Sequence, residues 1–212
     1  MKLVLYGVAV SAFVAKVRIA LDLKGLDHEE RPPPGGYGSA EYRAVIPAGS
    51  VPGLTVDGAP LHESNAIAEF LDEVVPEPPL MPADPLARAR ARALLGFHDT
   101  RVEAAARAVF PLIKTDPSAE AVEAAASGIE AALARLADLL PGAPPGPTLA
   151  QLAYPCTLQM AGLMTGALGR PLKVPAPVAA WTDAVAPLPA VQRSLTLQAD
   201  AMRTWMAGFG KP

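Results

Sequence analysis

Residues 2–6 (Lys2-Leu3-Val4-Leu5-Tyr6) form an aliphatic run closed by Gly7. A run without polar alternation suits a strand buried on both faces, and a parallel sheet is its natural home. The period then changes. Over 12–24, Phe13, Val14, Val17, Ala20 and Leu21 recur at helical spacing with Lys16, Arg18, Asp22 and Lys24 between them, and Gly25 supplies a stop. Residues 28–31 can extend as a second strand before Pro32-Pro33-Pro34-Gly35-Gly36, which must be loop because each proline withdraws a donor. Leu54-Thr55-Val56 and Pro60-Leu61-His62, joined through Asp57-Gly58, predict a hairpin with a type I′ turn. Helical spacing returns over 64–75, with Ile67, Phe70, Leu71 and Val74 on one face. The predicted order is β-α-β-β-β-α.

Pro76, Pro78, Pro79, Pro82 and Pro85 crowd the next stretch, which reads as a linker. Beyond it the chain is rich in Ala and Leu, and its spacing predicts helices over 86–114, 118–140, 149–168, 177–185 and 189–206. Caps mark several starts: Asp84 before Pro85, Ser118 after Asp116-Pro117, and Thr148 with Gln151 as a capping box. The pattern therefore predicts an α/β domain over 1–75, a proline-rich linker over 76–85 and an all-α domain over 86–212.

Composition narrows the function. Half the residues are hydrophobic (51%) and 18% are charged, enough apolar material for a sizeable core. The net charge of −3 supplies no basic field for a nucleic acid backbone. Arg88, Arg90 and Arg92 do not share one helix face, so they read as a solvated surface. No charge-free apolar run is long enough to span a membrane, and the apolar start is too short for a signal peptide; the expectation is a soluble cytoplasmic protein. Cys156 stands alone and reads as a small buried hydrophobe in a reducing compartment. His28, His62 and His98 lie far apart, with no zinc spacing, and neither a phosphate-binding glycine loop nor a nucleophile elbow occurs.

Two strand-to-helix junctions remain as candidates. Ser11 stands where the first strand meets the first helix, and Glu63-Ser64-Asn65 precedes the helix over 64–75. Free N–H groups and the helix dipole at such places favour an anion, while a carboxylate beside them can hold an amine. The competing reading is simple capping by Ser11 and Ser64.

Val51-Pro52-Gly53-Leu54, Asp57-Gly58 and the run Leu61-His62-Glu63-Ser64-Asn65-Ala66-Ile67-Ala68-Glu69-Phe70-Leu71 closely resemble the cytosolic glutathione transferase family. Leu80-Met81-Pro82 before an Arg-studded helix resembles that family's linker, so the likeness spans the chain. It implies a thioredoxin-like N-terminal domain and a helical C-terminal domain forming a homodimer. It also implies glutathione as co-substrate, no metal or other cofactor, and a small hydrophobic electrophile as second substrate.

Residue by residue, the resemblance makes Ser11 the hydroxyl that stabilises the glutathione thiolate, as in serine-type classes. Val51-Pro52 becomes the cis-proline pair whose first residue meets the cysteinyl backbone, and Glu63 and Ser64 hold the γ-glutamyl end. Ser50 stands where a longer Gln or Lys reaches the glycyl carboxylate, and Phe13 lies beside the tripeptide. Phe97, His98, Arg101 and Trp205, with Phe13, are the candidates for the electrophile pocket. Ala12 replaces the proline common after the active residue. Tyr6 is a rival hydroxyl that its strand position turns into a sheet face. The absence of cysteine at position 11 argues against mixed-disulfide chemistry. The run Val10-Ser11-Ala12-Phe13 lacks the Ser-Ser-Cys of the zeta-like isomerases. A non-catalytic binding module and a glutathione-dependent isomerase or peroxidase stand as the alternatives.

Overall fold

The structure is a computed structural model and describes residues 1–209. Strand β1 (Leu3–Tyr6) leads into α1 (Ala12–Leu23), followed by β2 (Glu29–Arg31), a one-turn α2 (Ala40–Arg43), β3 (Gly53–Val56), β4 (Ala59–His62) and α3 (Ser64–Val74). The sheet order is β2-β1-β3-β4. β1 runs parallel to β2 and antiparallel to β3, so the sheet is mixed and the parallel setting expected for β1 holds on one edge only. β1 is nonetheless buried on both faces: Leu3 and Leu5 join the main core, while Val4 and Tyr6 pack with Tyr42 and Ile46 behind the sheet. The hairpin turn at Asp57-Gly58 has positive φ at both residues (49° and 92°), as a type I′ turn requires.

Helices make up the rest: α4 (Pro85–Phe97), a π-helical turn (His98–Val102), α5 (Glu103–Arg107), α6 (Phe110–Ile113), α7 (Ala119–Leu139), a 3₁₀ turn (Leu140–Gly142), α8 (Leu149–Leu152), α9 (Tyr154–Ala167), α10 (Ala176–Asp183) and α11 (Pro189–Ala207). Two helices expected as single rods are interrupted. Pro111 cannot follow a helical Arg107 without its ring meeting that carbonyl, and α5 ends there; Pro155 does the same to Gln151, separating α8 from α9. Asp84, Ser118 and Thr148 cap as expected. The Thr148 box is half formed, because the Gln151 amide donates to the Trp181 carbonyl instead. No helix among the described residues is long and apolar enough to cross a membrane.

Helix α1 is the hub. It packs on α3 on one side and on α8, α9 and α11 on the other. One continuous apolar cluster runs from Leu3 and Leu5 through α1 to Met160 and Met202. Gly7 lets the β1–α1 loop approach the helix: a Cβ there would lie 2.4 Å from Val14 Cγ1.

Candidate functional site

A cavity of about 620 Å³ opens where the β1–α1 loop, the Val51-Pro52 segment and the head of α3 face α5, α6 and α9. That size suits a small-molecule site. Ser11, Phe13, Ser50, Val51, Pro52, Glu63 and Ser64 all line it, together with Asp99, Glu103, Arg107, Phe110, Lys114 and Met160.

Each contributor is held by its local chain. Ser11 is the N-cap of α1, and its Oγ accepts from Val14 N at 3.3 Å. Capping uses a lone pair only; the hydroxyl proton stays available to a ligand. The capping reading and the chemical reading of Ser11 are therefore compatible. The Val51-Pro52 bond is cis. Behind it, the buried Tyr42 donates its hydroxyl to Ser50 O at 3.0 Å, and burial raises the Tyr42 pKa to about 12, so it remains a donor.

The α3 junction differs from expectation. Ser64 is the first helical residue and buried; the cap position is Glu63, with no side-chain cap bond. Glu63 holds φ at +69°, a conformation that costs about 1–3 kcal/mol in a residue with a Cβ. Both Glu63 and Ser64 line the cavity from this corner.

Of the five residues expected around the electrophile, Phe13 lines this cavity and Phe97, His98, Arg101 and Trp205 do not. Phe97 packs against the core, and Arg101 is exposed and donates to the Thr100 carbonyl. Trp205 stands behind the wall, its ring 5.1 Å from that of Phe110. His98 is fully buried beneath the floor, edge-on to Phe13 and Tyr154. Residues 98–102 form a π turn, and from it and α5 the side chains of Asp99, Glu103 and Arg107 line the cavity. Their i,i+4 spacing, continued to Lys114 across the α5–α6 break, is visible in the sequence and could have marked this face. Tyr37, on the glycine-flanked loop after β2, also borders the opening.

His98 and Asp99 belong to a polar network between the two parts of the chain. His98 Nδ1 lies 2.7 Å from Asp99 Oδ1, and Asp99 Oδ2 accepts from Asn65 Nδ2 at 2.8 Å. The buried Lys16 donates to Asn65 and faces Asp99 at 3.4 Å. Burial pulls the pKa of both Lys16 and His98 below their ordinary values. Burial pushes Asp99 upward, but the bond from His98 and the charge of Lys16 outweigh it and hold the carboxyl below the usual range. On the far side, His98 Nε2 is 2.8 Å from Thr157 Oγ1, which donates to Glu103 at 2.9 Å. Cys156 is buried and its thiol is raised to about 12 by desolvation, so it packs as a small hydrophobe.

A mixed sheet with helix heads at one cavity, followed by a helical part that supplies the opposite wall, defines a two-part protein of the glutathione transferase architecture. Residues 5–79 match the model of the glutathione S-transferase N-terminal domain. The maleylacetoacetate isomerase of Pseudomonas aeruginosa is 45% identical over 98 residues, which are 43% of this chain and 45% of that protein. The chain thus spans less than half the length of the curated relatives it matches. Among solved structures, the maleylacetoacetate isomerase of Methylobacterium extorquens AM1, with bound malonate and GSH, superposes with a TM-score of 0.73 at 28% identity, covering 92% of this chain and 97% of that one. A Tau class glutathione S-transferase from mango shares the fold at a TM-score of 0.81 and 21% identity, over 97% and 98% of the two chains. Residues 5–79 thus carry the glutathione S-transferase N-terminal domain, and the chain as a whole shares the glutathione S-transferase fold. Several curated relatives are named maleylacetoacetate isomerases, although Val10-Ser11-Ala12-Phe13 lacks a Ser-Ser-Cys run.

Proposed function

We propose that this protein is a glutathione transferase that activates the glutathione thiol through Ser11 and adds it to an electrophile in the cavity. The observation that carries this reading is the convergence of Ser11, cis Val51-Pro52 and the Glu63-Ser64 corner on one cavity. In it, residues 1–75 form the glutathione-binding domain, 76–85 the linker and 86–212 the domain that completes the electrophile pocket. Glu63 takes the ammonium of the γ-glutamyl end and the head of α3 its carboxylate; Val51 meets the cysteinyl backbone, beside Ser50 and Phe13. The reading includes a cytoplasmic homodimer with no cofactor beyond glutathione.

A single hydroxyl is adequate for the chemistry. A thiol of pKa about 8.5 is about 3% ionised at pH 7, and lowering it by roughly 2 units requires about 2.7 kcal/mol. A hydrogen bond to an ionised acceptor contributes about 1.5–3 kcal/mol and a helix N-terminus about 0.3–1. Calorimetric titration of glutathione, with ultraviolet absorbance of the bound thiolate across pH, tests this. Wild type should bind with a thiol pKa well below the free value, and Ser11→Ala should restore it while retaining most affinity. An unshifted pKa in wild type, or one unchanged by Ser11→Ala, refutes the assignment.

A second reading, a glutathione-dependent isomerase, is favoured by the names of the relatives and by the second half of the cavity. There Arg107 and Lys114 stand beside Phe110, Pro111 and Met160, a lining suited to an acceptor with both an apolar body and an anionic group. The thiolate would add to a carbon–carbon double bond, rotation would follow about the resulting single bond, and elimination would return the thiolate. Product analysis separates the two: a stable conjugate supports transfer, and a rearranged product with glutathione regenerated supports isomerisation. Absence of glutathione binding at millimolar concentration would leave a binding module on the same fold.

A further inference from the structure

Helix α11 buries Ala190, Val191, Ser194, Gln198, Ala199 and Met202, a face that is apolar except at Ser194 and Gln198. A carboxamide in such a place is costly unless both its ends find partners. Gln198 is fully buried, and both ends are used. Its Nε2 donates to the Val10 carbonyl at 3.3 Å, and its Oε1 accepts from Gln159 Nε2 at 3.2 Å. Gln159 also donates to the Leu195 carbonyl at 2.8 Å, which fixes its direction. Side-chain amides thus run from α9 through α11 to the β1–α1 loop.

The point they reach is specific. The Val10 carbonyl shares a rigid peptide plane with the nitrogen of Ser11. That nitrogen donates to the Val8 carbonyl at 3.0 Å, so the plane is held from both edges. Its orientation sets where the Ser11 Cα stands and where Oγ leaves the loop. Ser194, one turn earlier on the same face, has no partner for its hydroxyl among the described residues and offers an internal comparison.

We propose that Gln198, braced by Gln159, is a positioning residue for Ser11, holding the Val10–Ser11 peptide so that the hydroxyl faces the glutathione sulfur. The inference rests on the thiolate-stabilising reading of Ser11 given above. It makes a residue far along the chain, on the last helix, part of the apparatus that sets thiol acidity.

The test is the pH midpoint of bound-thiolate absorbance, with kcat and KM for glutathione and the thermal midpoint, in wild type, Gln198→Leu, Gln159→Leu and Ser194→Ala. In Gln198→Leu the thiol pKa should rise by about one unit, which lowers the thiolate fraction about fivefold at the wild-type midpoint. kcat should fall in proportion, with KM for glutathione changed less than about twofold. Gln159→Leu should shift the midpoint the same way by less, and Ser194→Ala should leave it in place. A Gln198→Leu variant that loses thermal stability while keeping the wild-type thiol pKa overturns the proposal, because a packing role alone predicts that result. If Gln198→Leu does not fold, Gln159→Leu decides, and an unmoved midpoint there is a refutation. A wild type without a lowered thiol pKa sinks the Ser11 reading and this proposal together; a lowered wild-type pKa with unmoved variants sinks this proposal alone.

Discussion

Gly7 and Glu63 show how single positions shape the cavity by backbone means. Gly7 has no room for a side chain, since its Cβ would sit 2.4 Å and 2.8 Å from the two γ-methyls of Val14 on the first turns of α1. Val14 is itself fully buried, so the clash has no cheap outlet. Gly7→Ala should therefore destabilise the fold by about 1–3 kcal/mol, the usual cost of overpacking. A urea melt would show this as a lower midpoint with an unchanged slope, and a midpoint equal to wild type would mean that the loop can move away from α1. Glu63 is strained in its backbone instead, with a positive φ of 69° at the corner that lines the cavity. The sequence motif around Glu63 and Ser64 located this corner, but it assigned the cap to Ser64. A positive φ in a residue other than glycine leaves no compositional trace, so the true cap was not legible.

At the scale of elements, hydrophobic period and turn chemistry were read well where the responsible interactions are local. The hairpin at Asp57-Gly58 and the caps at Asp84 and Ser118 follow from residues a few positions apart. The breaks in the long helices went unread although Pro111 and Pro155 mark them in the sequence, because the helical period continues on either side of each proline. Phe97 and Arg101 were named on the resemblance alone, and the structure sets both away from the cavity. Partnerships across elements were beyond local pattern: nothing near Lys16 foretells Asn65 and Asp99. The link made by Arg170 is another such case. After α9 it reaches α7, pairing with Glu123 at 2.8 Å and Glu130 at 2.6 Å. The Arg170 hydrogen bond brings Glu123 down to about 2 and lowers Glu130 as well. A depressed folded-state pKa stabilises above the unfolded value of about 4.3 and is lost as pH falls through the folded value. Arg170→Met should lower the thermal midpoint at pH 6, and the gap to wild type should narrow as pH falls from about 4.5 toward 2. A gap constant over that range would show that Arg170 acts by packing alone.

For the whole molecule, the proline-rich stretch at 76–85 suggests two parts able to separate, and the packing argues the reverse. Helix α1 belongs to the sheet-bearing part by sequence, but its surface is shared: α3 covers one side, and α8, α9 and α11 the other. Charges on α1 are paired in both directions. Arg18 meets Glu30 of β2, Lys24 meets Asp72 of α3, and Lys16 meets Asp99 beyond the linker. Removing the helical part would leave Lys16 and the apolar side of α1 facing water, while removing the sheet would strip the other side. Each half alone would therefore lose burial that offsets its chain entropy. The cavity needs both walls, so the cooperativity that holds them together also holds the site. Native-state hydrogen exchange measures this directly. Backbone amides of Leu5 in β1 and of Met160 in α9 should open with the same free energy, equal to that of the global urea transition followed by the fluorescence of Trp181 and Trp205. Separate, lower opening free energies for β1 would instead define an independently unfolding sheet, and a cavity whose sheet-side wall can loosen while its helical wall stays folded.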